Sequence, residues 1–399
     1  MKDLTATYFF IPGTDTSPEQ AAQAIADEET TGTWTDLTTR KDYIQYLDGT
    51  VESVEKVHAG YITTIHYPYE IFEPGNIPQY LSVVAGNLFG LGRLDGVRLL
   101  DIKVPSGLIT GEGPKFGITG VRKIVGTEDR PHVGTIIKPK VGLNPKDTAE
   151  VAYQAAIGGV DLIKDDETLT DQAFCPMGER VFEVMTKLDD AMEETGRTIL
   201  YAVNVTSGAD KIIENARRAL SYGANMVMVD VITAGFSAVQ ALASESSINV
   251  PIHVHRTMHA AITRNPLHGI AMRPIARLVR IAGGDQLHTG TVSGKMGHNK
   301  EEVIGDNNAL KGDFSDLLPV FPVASGGLHP GKVEAELSSL GTDIVLQAGG
   351  GIHGHPEGTA AGATAMRQAV DAYLAGIPAS RYAEDHHELM LALEKWGMK

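Results

Sequence analysis

A lysine and three acids, Lys164-Asp165-Asp166-Glu167, follow directly on the apolar run Gly158-Gly159-Val160-Asp161-Leu162-Ile163. The run reads as a buried strand, and packing does not explain four charges at its end. Charges in such a place are buried only when paired or bound to a metal. A second group, Lys138-Pro139-Lys140, ends the preceding strand-like run at 133–137. Cations and carboxylates at two neighbouring strand ends suggest a metal-and-anion site on a barrel rim. Two carboxylates plus one further oxygen suit Mg²⁺, a hard ion that keeps positions open for water and substrate. Lys164 and Asp166 share one side of an extended chain while Glu167 faces away, so the chain has to bend for Asp166 and Glu167 to converge. An unmodified lysine does not ligate Mg²⁺ as an ammonium. On the residues alone, Lys164 neutralises the acids.

Lys138 and Lys140 lie two apart, so an extended chain points both to one side, and Pro139 places the pair where the hydrogen-bond ladder ends. Two adjacent ammoniums repel, which favours a lowered pKa and proton transfer. The plainer alternative is a salt-bridged rim. His255-Arg256 ends a run that also carries His253. Arginine grips phosphate with two parallel bonds, and histidine donates or shuttles a proton. His253 and His259 are read as core histidines.

Ser325-Gly326-Gly327 and Gln347-Ala348-Gly349-Gly350-Gly351 each lie between a strand-like run and a helical stretch. Glycines let backbone N–H groups approach a phosphate closely, and the N-terminus of the next helix adds partial positive charge. Thr289-Gly290-Thr291-Val292-Ser293-Gly294-Lys295 follows His288. Glycines flanking a lysine suggest a mobile lid that delivers one cation; a solvated loop lysine is the alternative.

These residues need a scaffold, and the chain supplies one repeating rhythm. Short β-branched runs at 133–137, 160–163, 198–205, 224–231, 250–254, 285–288, 320–324 and 343–347 alternate with helical stretches. Asn144-Pro145 opens one helix with a cap and a proline at its first position, Gly208-Ala209-Asp210 opens another, and Tyr222-Gly223 closes it. Strands that are apolar throughout indicate a parallel sheet buried on both faces. Eight such units fit an α/β fold of the (β/α)₈ TIM-barrel type over 114–399, with its active site at the C-terminal strand ends. Those ends carry Lys138, Lys140, Lys164, Asp166, Glu167, Asn204, Asp230, His255, Arg256, His288, Ser325 and Gln347. Residues 1–113 lack the rhythm. Strands at 4–10, 59–69 and 97–104 with a helix at 17–28 make a small α+β domain, joined through the glycine- and proline-rich stretch 105–115.

Composition narrows the partners. The chain has 399 residues, 42% of them hydrophobic, and a net charge of −16. The size suits one large domain plus a smaller one. The negative charge argues against nucleic acid or an anionic membrane. The single cysteine, Cys175, allows no internal disulfide and fits a reducing cytoplasm. The start, Met1-Lys2-Asp3-Leu4-Thr5, shows no basic segment leading into an apolar core, so no signal peptide is expected. No apolar run is long enough to span a bilayer.

The motifs resemble the large subunit of ribulose-1,5-bisphosphate carboxylase/oxygenase (RuBisCO) over almost the whole chain. Thr30-Thr31-Gly32-Thr33-Trp34-Thr35 and Gly86-Asn87-Leu88-Phe89-Gly90 are similar to the family's small-domain motifs, and that domain is expected to be ferredoxin-like. Gly134 to Lys140, Lys164 to Glu167, His255-Arg256-Thr257-Met258-His259, His288 to Lys295, Ser325 to Gly327 and Gly349 to Gly351 are similar to its barrel motifs. The compact C-terminal half most resembles the archaeal form III branch.

The resemblance implies that an activator CO₂ carbamylates Lys164, giving the third oxygen ligand of Mg²⁺ beside Asp166 and Glu167. It implies proton transfer by the carbamate, Lys138 and His255, with Lys140 adjusting Lys138. It counts Gly326 among the substrate-binding residues and assigns Arg256, His288 and Ser325 to one phosphate. Thr33, Trp34, Gly327, Gly349 and Gly350 fall to the other, with Gln347 lining the site. Lys295 would close over the site, paired with Glu28, and Asn87 would reach substrate oxygens. In the family Glu28, Thr33, Trp34 and Asn87 come from a partner chain, which implies a homodimer or a larger homo-oligomer of dimers, without a small subunit.

The implied reaction joins ribulose 1,5-bisphosphate to CO₂, with O₂ competing, to give 3-phosphoglycerate, and the form III likeness implies AMP or nucleoside salvage. Two other readings are weighed. A RuBisCO-like enolase or isomerase of methionine salvage typically loses several of these substrate residues. A non-catalytic sugar-phosphate-binding protein has no use for Lys138, Lys295 and the acidic group together. The chain departs from many relatives at Met296-Gly297-His298, where an acidic residue is common, and in the short connection from there to Ser325.

Overall fold

Apolar, β-branched runs become parallel strands where both their faces are covered, and eight do so here. A computed structural model of the chain describes residues 2–294 and 299–398. The strands are His132–Ile136, Leu162–Lys164, Leu200–Asn204, Met226–Asp230, Ile252–His255, Gln286–His288, Phe321–Ser325 and Val345–Ala348. Each pairs in parallel with the next, and Val345–Ala348 returns to His132–Ile136 to close the barrel. Helices between them include Pro145–Ile157, Met177–Thr195, Ile212–Ser221 and Thr359–Leu374. The (β/α)₈ expectation is met.

Local signals set several helix ends. Asn144 caps Pro145–Ile157 by accepting the Asp147 amide, with proline in the first turn. At 208–212 the expected opening is made by backbone alone: the Lys211 and Ile212 amides bond the Gly208 carbonyl, and Ile212–Ser221 has no side-chain cap. The barrel floor is plugged by the helix Gly117–Val125. Its Ile118, Val121 and Val125 pack against Leu162, Leu200, Met226, Phe321 and Val345, the first residues of five strands. That plug leaves the opposite, C-terminal end as the open mouth.

A second compact unit comprises Met1–Glu112 with Met258–Ala282 and Phe314–Asp316. Its sheet runs Leu94–Lys103, Leu4–Pro12, Gly60–Tyr67, Thr50–Val57 in antiparallel order, with Gly269–Ile270 added in parallel outside Leu94–Lys103. With the helices Pro18–Glu28 and Ile77–Ala85 this is a βαββαβ, ferredoxin-like arrangement. Ser17 and Gln20 form a capping box at the first helix. The Thr50–Val57 strand is absent from the sequence expectation. It is a charged edge strand carrying exposed Glu52, Glu55 and Lys56, so it lacks an apolar face to betray it. Among the described residues no helix is long and apolar enough to cross a membrane.

Candidate active site

The Leu162–Lys164 strand ends on its lysine and the chain turns at once, which is the bend the acids require. The three acids then separate. Asp165, fully buried, turns away and accepts bonds from Tyr201 Oη at 2.5 Å, the Asn204 amide at 3.0 Å and Arg180 Nη2 at 3.1 Å. Asp166 accepts from Lys138 Nζ at 2.7 Å and Thr168 Oγ1 at 2.8 Å. Glu167 Oε2 stands 3.6 Å from Lys164 Nζ and 3.8 Å from His255 Nε2. Asp165 is thus the anchor of the turn, while Asp166 and Glu167 face the lysine nitrogens of Lys138 and Lys164.

Lys164 is 1% exposed. Its Nζ donates to the Asp165 carbonyl at 2.7 Å and lies 3.5 Å from the Met228 sulfur. Burial pushes the amine below the ordinary lysine value, although Glu167, Asp166 and Asp230 oppose that. For Asp166, burial is outweighed by the Lys138 bond, and for Glu167 by Lys164 and His255, so both carboxyls sit below their usual range. Asp230, at the next-but-one strand end, is pushed up to about 6 by burial. It faces His255 Nδ1 at 2.8 Å, while burial and Lys164 hold His255 down at about 3. The contact is therefore a hydrogen bond from a neutral imidazole, not an ion pair. It leaves Nε2 facing Glu167.

His253 and His288 extend this group inward. His253 Nδ1 lies 2.7 Å from Gln286 Oε1, the two Nε2 atoms are 2.8 Å apart, and His288 Nδ1 is 2.7 Å from Ser325 Oγ. With the Gln286 oxygen accepting, each imidazole donates inward in turn and Ser325 donates to His288. Burial keeps both rings neutral, His253 at about 3 and His288 well below the usual value. His253 is a core histidine, as the sequence suggests, and it sets the tautomer of His288. Arg256 is buried and pushed down to about 10 by desolvation.

The glycine loops join the ring through close approaches. A Cβ on Gly349 would lie 3.3 Å from Lys138 Cε, and one on Gly351 would lie 2.1 Å from the Leu328 carbonyl oxygen. At Gly294 it would lie 2.3 Å from the Gly326 carbonyl oxygen. The Lys138 arm, both glycine loops and the base of the 289–294 segment are therefore in contact. Gly326 and Gly327 adopt φ of 117° and 87°, where a side chain would be strained. The helix after Gly349 is a single turn, Gly350–His353, so the helix-dipole contribution expected there is small.

Some expected residues stand elsewhere. The His132–Ile136 strand ends before Lys138, so strict alternation no longer applies: Lys138 reaches Asp166 while Lys140 lies exposed. Gln347 is buried in the barrel wall and donates to the Thr135 carbonyl at 2.7 Å. Lys295 lies outside the described residues, as do Met296, Gly297 and His298. In the N-terminal unit, Glu28 ends its helix, Thr33 is half-buried, Asn87 is exposed, and Trp34 is 76% exposed.

The sequence reading missed Arg180 and Tyr201, which anchor Asp165. It also missed Glu336, which is fully buried and accepts the Val292 and Ser293 amides, fixing the base of the 289–294 segment. The one available signal was a tyrosine in the middle of the largely apolar 198–205 run. Glu336 gave none.

Among the described residues no three His, Cys, Asp or Glu side chains form a metal group. Asp166 and Glu167 supply two carboxylates, each set against a lysine nitrogen. The set suits a divalent ion if a third oxygen arises at Lys164, the buried amine between them.

The chain matches two domain families in sequence order. They are the ribulose bisphosphate carboxylase large chain N-terminal domain over residues 1–108 and the catalytic domain over residues 117–396. It is 42% identical to a ribulose bisphosphate carboxylase of Pyrococcus abyssi, covering 99% of this chain and 93% of the relative. It is 42% identical to that of Methanosarcina mazei, covering 100% and 96%. Among solved structures it resembles the octameric enzyme of Pyrococcus horikoshii (TM-score 0.94, 41% identity, 100% of this chain and 94% of that one). It also resembles the dimeric archaeal Rubisco of Hyperthermus butylicus (TM-score 0.91, 39% identity, 100% and 96%).

Proposed function

Because the chain belongs to the ribulose bisphosphate carboxylase large-chain family, and is a carboxylase by that membership, we propose that Lys164, Asp166 and Glu167 form the centre of its active site. The observation that carries this is the buried Lys164 amine, held below the usual lysine value by burial and 3.6 Å from Glu167. A neutral amine is the form that adds to CO₂: the nitrogen lone pair attacks carbon, a proton leaves, and an anionic carbamate remains. Lys164 as carbamate, Asp166 and Glu167 would hold Mg²⁺. When bound there, the ion polarises substrate oxygens and stabilises negative charge on them.

The chain's own groups account for the proton movements. Lys138, freed from Asp166 when that carboxylate takes up another cation, donates and accepts protons at the substrate. His255, neutral and oriented by Asp230, serves as acid or base through Nε2. Arg256, His288 and Ser325, with Gly326, hold one phosphate; Gly327, Gly349 and Gly350, with Thr33 and Trp34, hold the other. Lys140 and Gln347 support these groups from the rim and the wall. Lys295 would face the new carboxylate, with Glu28 as its partner, and Asn87 would bond substrate oxygens. Glu28, Thr33, Trp34 and Asn87 act, in this reading, on the substrate of a second copy. The exposure of Trp34 supports that, and so does the dimeric or octameric state of the similar solved structures.

Ribulose 1,5-bisphosphate takes up one CO₂ and one water and breaks between C2 and C3, giving two 3-phosphoglycerates. O₂ in place of CO₂ is the competing reaction. We place the enzyme in the cytoplasm, in nucleotide salvage, on its likeness to archaeal relatives. An enolase or isomerase reading is disfavoured because Glu28, Thr33, Trp34, Asn87, Lys138, Lys295 and Ser325 are all present. Incubation with Mg²⁺, labelled bicarbonate and ribulose 1,5-bisphosphate should give labelled 3-phosphoglycerate. Enolisation of the sugar without label in the product would sink the carboxylase reading.

A further inference from the structure

Glu29, next to Glu28, is a buried carboxylate that none of these roles uses. It is 7% exposed, and its Oε2 accepts the Gly86 amide at 3.1 Å. The amides of Leu88 and Asn87 also favour its charge; burial pushes it up to about 7. Its Oε1 is buried without a hydrogen bond among the described residues. Such a group is costly to keep.

The surroundings are built to hold it. A Cβ on Gly86 would lie 2.4 Å from the Ser82 carbonyl oxygen and 3.2 Å from Glu29 Oε2, so only glycine lets this amide reach the carboxylate. Thr30 ties the helix end down, donating to the Ala26 carbonyl at 2.7 Å and accepting the Gly49 amide at 3.1 Å. Beneath lie Tyr8 and Tyr67, fully buried and bonded to each other at 2.8 Å; Tyr8 also donates to the Val84 carbonyl at 2.8 Å. The titratable groups facing Glu29 from these elements are Glu28, Tyr8 and Tyr67. Above it opens a cleft of ≈ 440 Å³ lined by Glu28, Glu29, Ser82, Gly86 and Asn87.

We propose that Glu29 is a positioning residue: its carboxylate ties the Gly86–Leu88 turn to the end of the Pro18–Glu28 helix and so fixes the spacing of Glu28 and Asn87 across the cleft. This rests on the reading that Glu28 and Asn87 act at the substrate. Glu29 itself touches no substrate. It acts through the turn.

The test compares Glu29→Ala with Glu29→Gln in the full-length enzyme. A hydrogen bond to a charged group is worth about 10- to 150-fold in an equilibrium. Glu29→Ala should therefore raise KM for ribulose 1,5-bisphosphate at least about tenfold and speed hydrogen exchange of the Gly86–Leu88 amides. Glu29→Gln keeps an oxygen acceptor and should stay within a few-fold of wild type in both. Because protonated Glu29, like glutamine, keeps one oxygen acceptor, wild-type KM should rise only a few-fold as pH falls through about 7, and that limb should be missing in Glu29→Gln. Wild-type KM and exchange in Glu29→Ala, or equal damage in both variants, would overturn the proposal. Should Glu29→Ala not fold, Glu29→Asp, one methylene shorter, carries the same comparison. If wild type carboxylates nothing, the functional reading fails, while the exchange arm still decides whether Glu29 holds the turn.

Discussion

The two ends of the barrel both bury charge, but they use it differently. At the floor two buried acids are met by close partners. Asp161 takes Arg130 and Arg367, each at 2.6 Å, and the Val133 amide at 2.9 Å. Asp285 accepts three amides, from Phe116, Gly117 and Ile252, at 2.7–2.8 Å. At the mouth Glu167 stands at 3.6 and 3.8 Å from its cations, Asp230 is pushed up to about 6, and the Lys164 amine is held low by burial. Asp161, held well below the usual carboxylate range by Arg130 and Arg367 despite its burial, stabilises the chain, whereas Asp285 keeps three amide donors although burial raises it to about 6. At the mouth Lys164 and Asp230 are displaced against their charged forms by burial, the pattern common where chemistry is done. The anchor Asp165–Arg180 shows how the mouth tolerates this: a satisfied pair lies directly behind the unsatisfied one.

Three substitutions would break or sharpen the contrast. Lys164→Met should have the largest effect, a loss of at least about 10²–10⁴-fold in carboxylation, the usual worth of a proton-transfer group, together with all CO₂-dependent activation. Its denaturation midpoint should not fall, because a buried amine is being replaced by an apolar chain of similar length. A lower midpoint with activity retained would reverse the roles of the two ends.

Asp161→Asn should do the opposite. Breaking a buried pair costs about 3–5 kcal/mol, and the lower end is expected because Arg130 and Arg367 stay 28% and 17% exposed. Urea titration should report that loss while kcat of the folded enzyme stays at the wild-type value. A changed kcat would mean that the floor reaches the chemistry.

The smallest effect should come from His132, buried at the floor beside Thr127 and held down at about 4 by burial. Its folded pKa lies below the unfolded value of about 6.5, so the unfolded chain binds more protons between those values. Its contribution is then complete above pH 6.5 and is lost as pH falls towards 4, by up to about 3 kcal/mol. Asp285, raised to about 6, has the opposite slope. The measurement is therefore a difference: the wild-type stability–pH curve minus that of His132→Gln should show this step. Parallel curves would remove His132 from the account.

Much of this is legible in the sequence. The barrel followed from eight apolar runs, because burial on both faces leaves each strand without polar alternation. Lys164, Asp166 and Glu167 stood out because nothing in packing explains charges at such a strand end. Other features were not legible. Asp165 reads like its neighbours in the sequence, and only the fold brings Tyr201 and Arg180 to it, 36 and 15 residues away. Glu29 looks like one more surface acid until Gly86, 57 residues on, closes over it. Lys140 looks equivalent to Lys138 until the strand ends two residues before Lys138.

The order of residue types along the chain thus determined the architecture and the chemical vocabulary of the mouth, since hydrophobic periodicity and the cost of burying charge are local properties. Tertiary structure decided which charge meets which partner. That choice separated the anchoring Asp165 from Asp166 and Glu167 and the neutral His255 from an ion pair. Desolvation and hydrogen-bond geometry depend on neighbours that the linear sequence does not place.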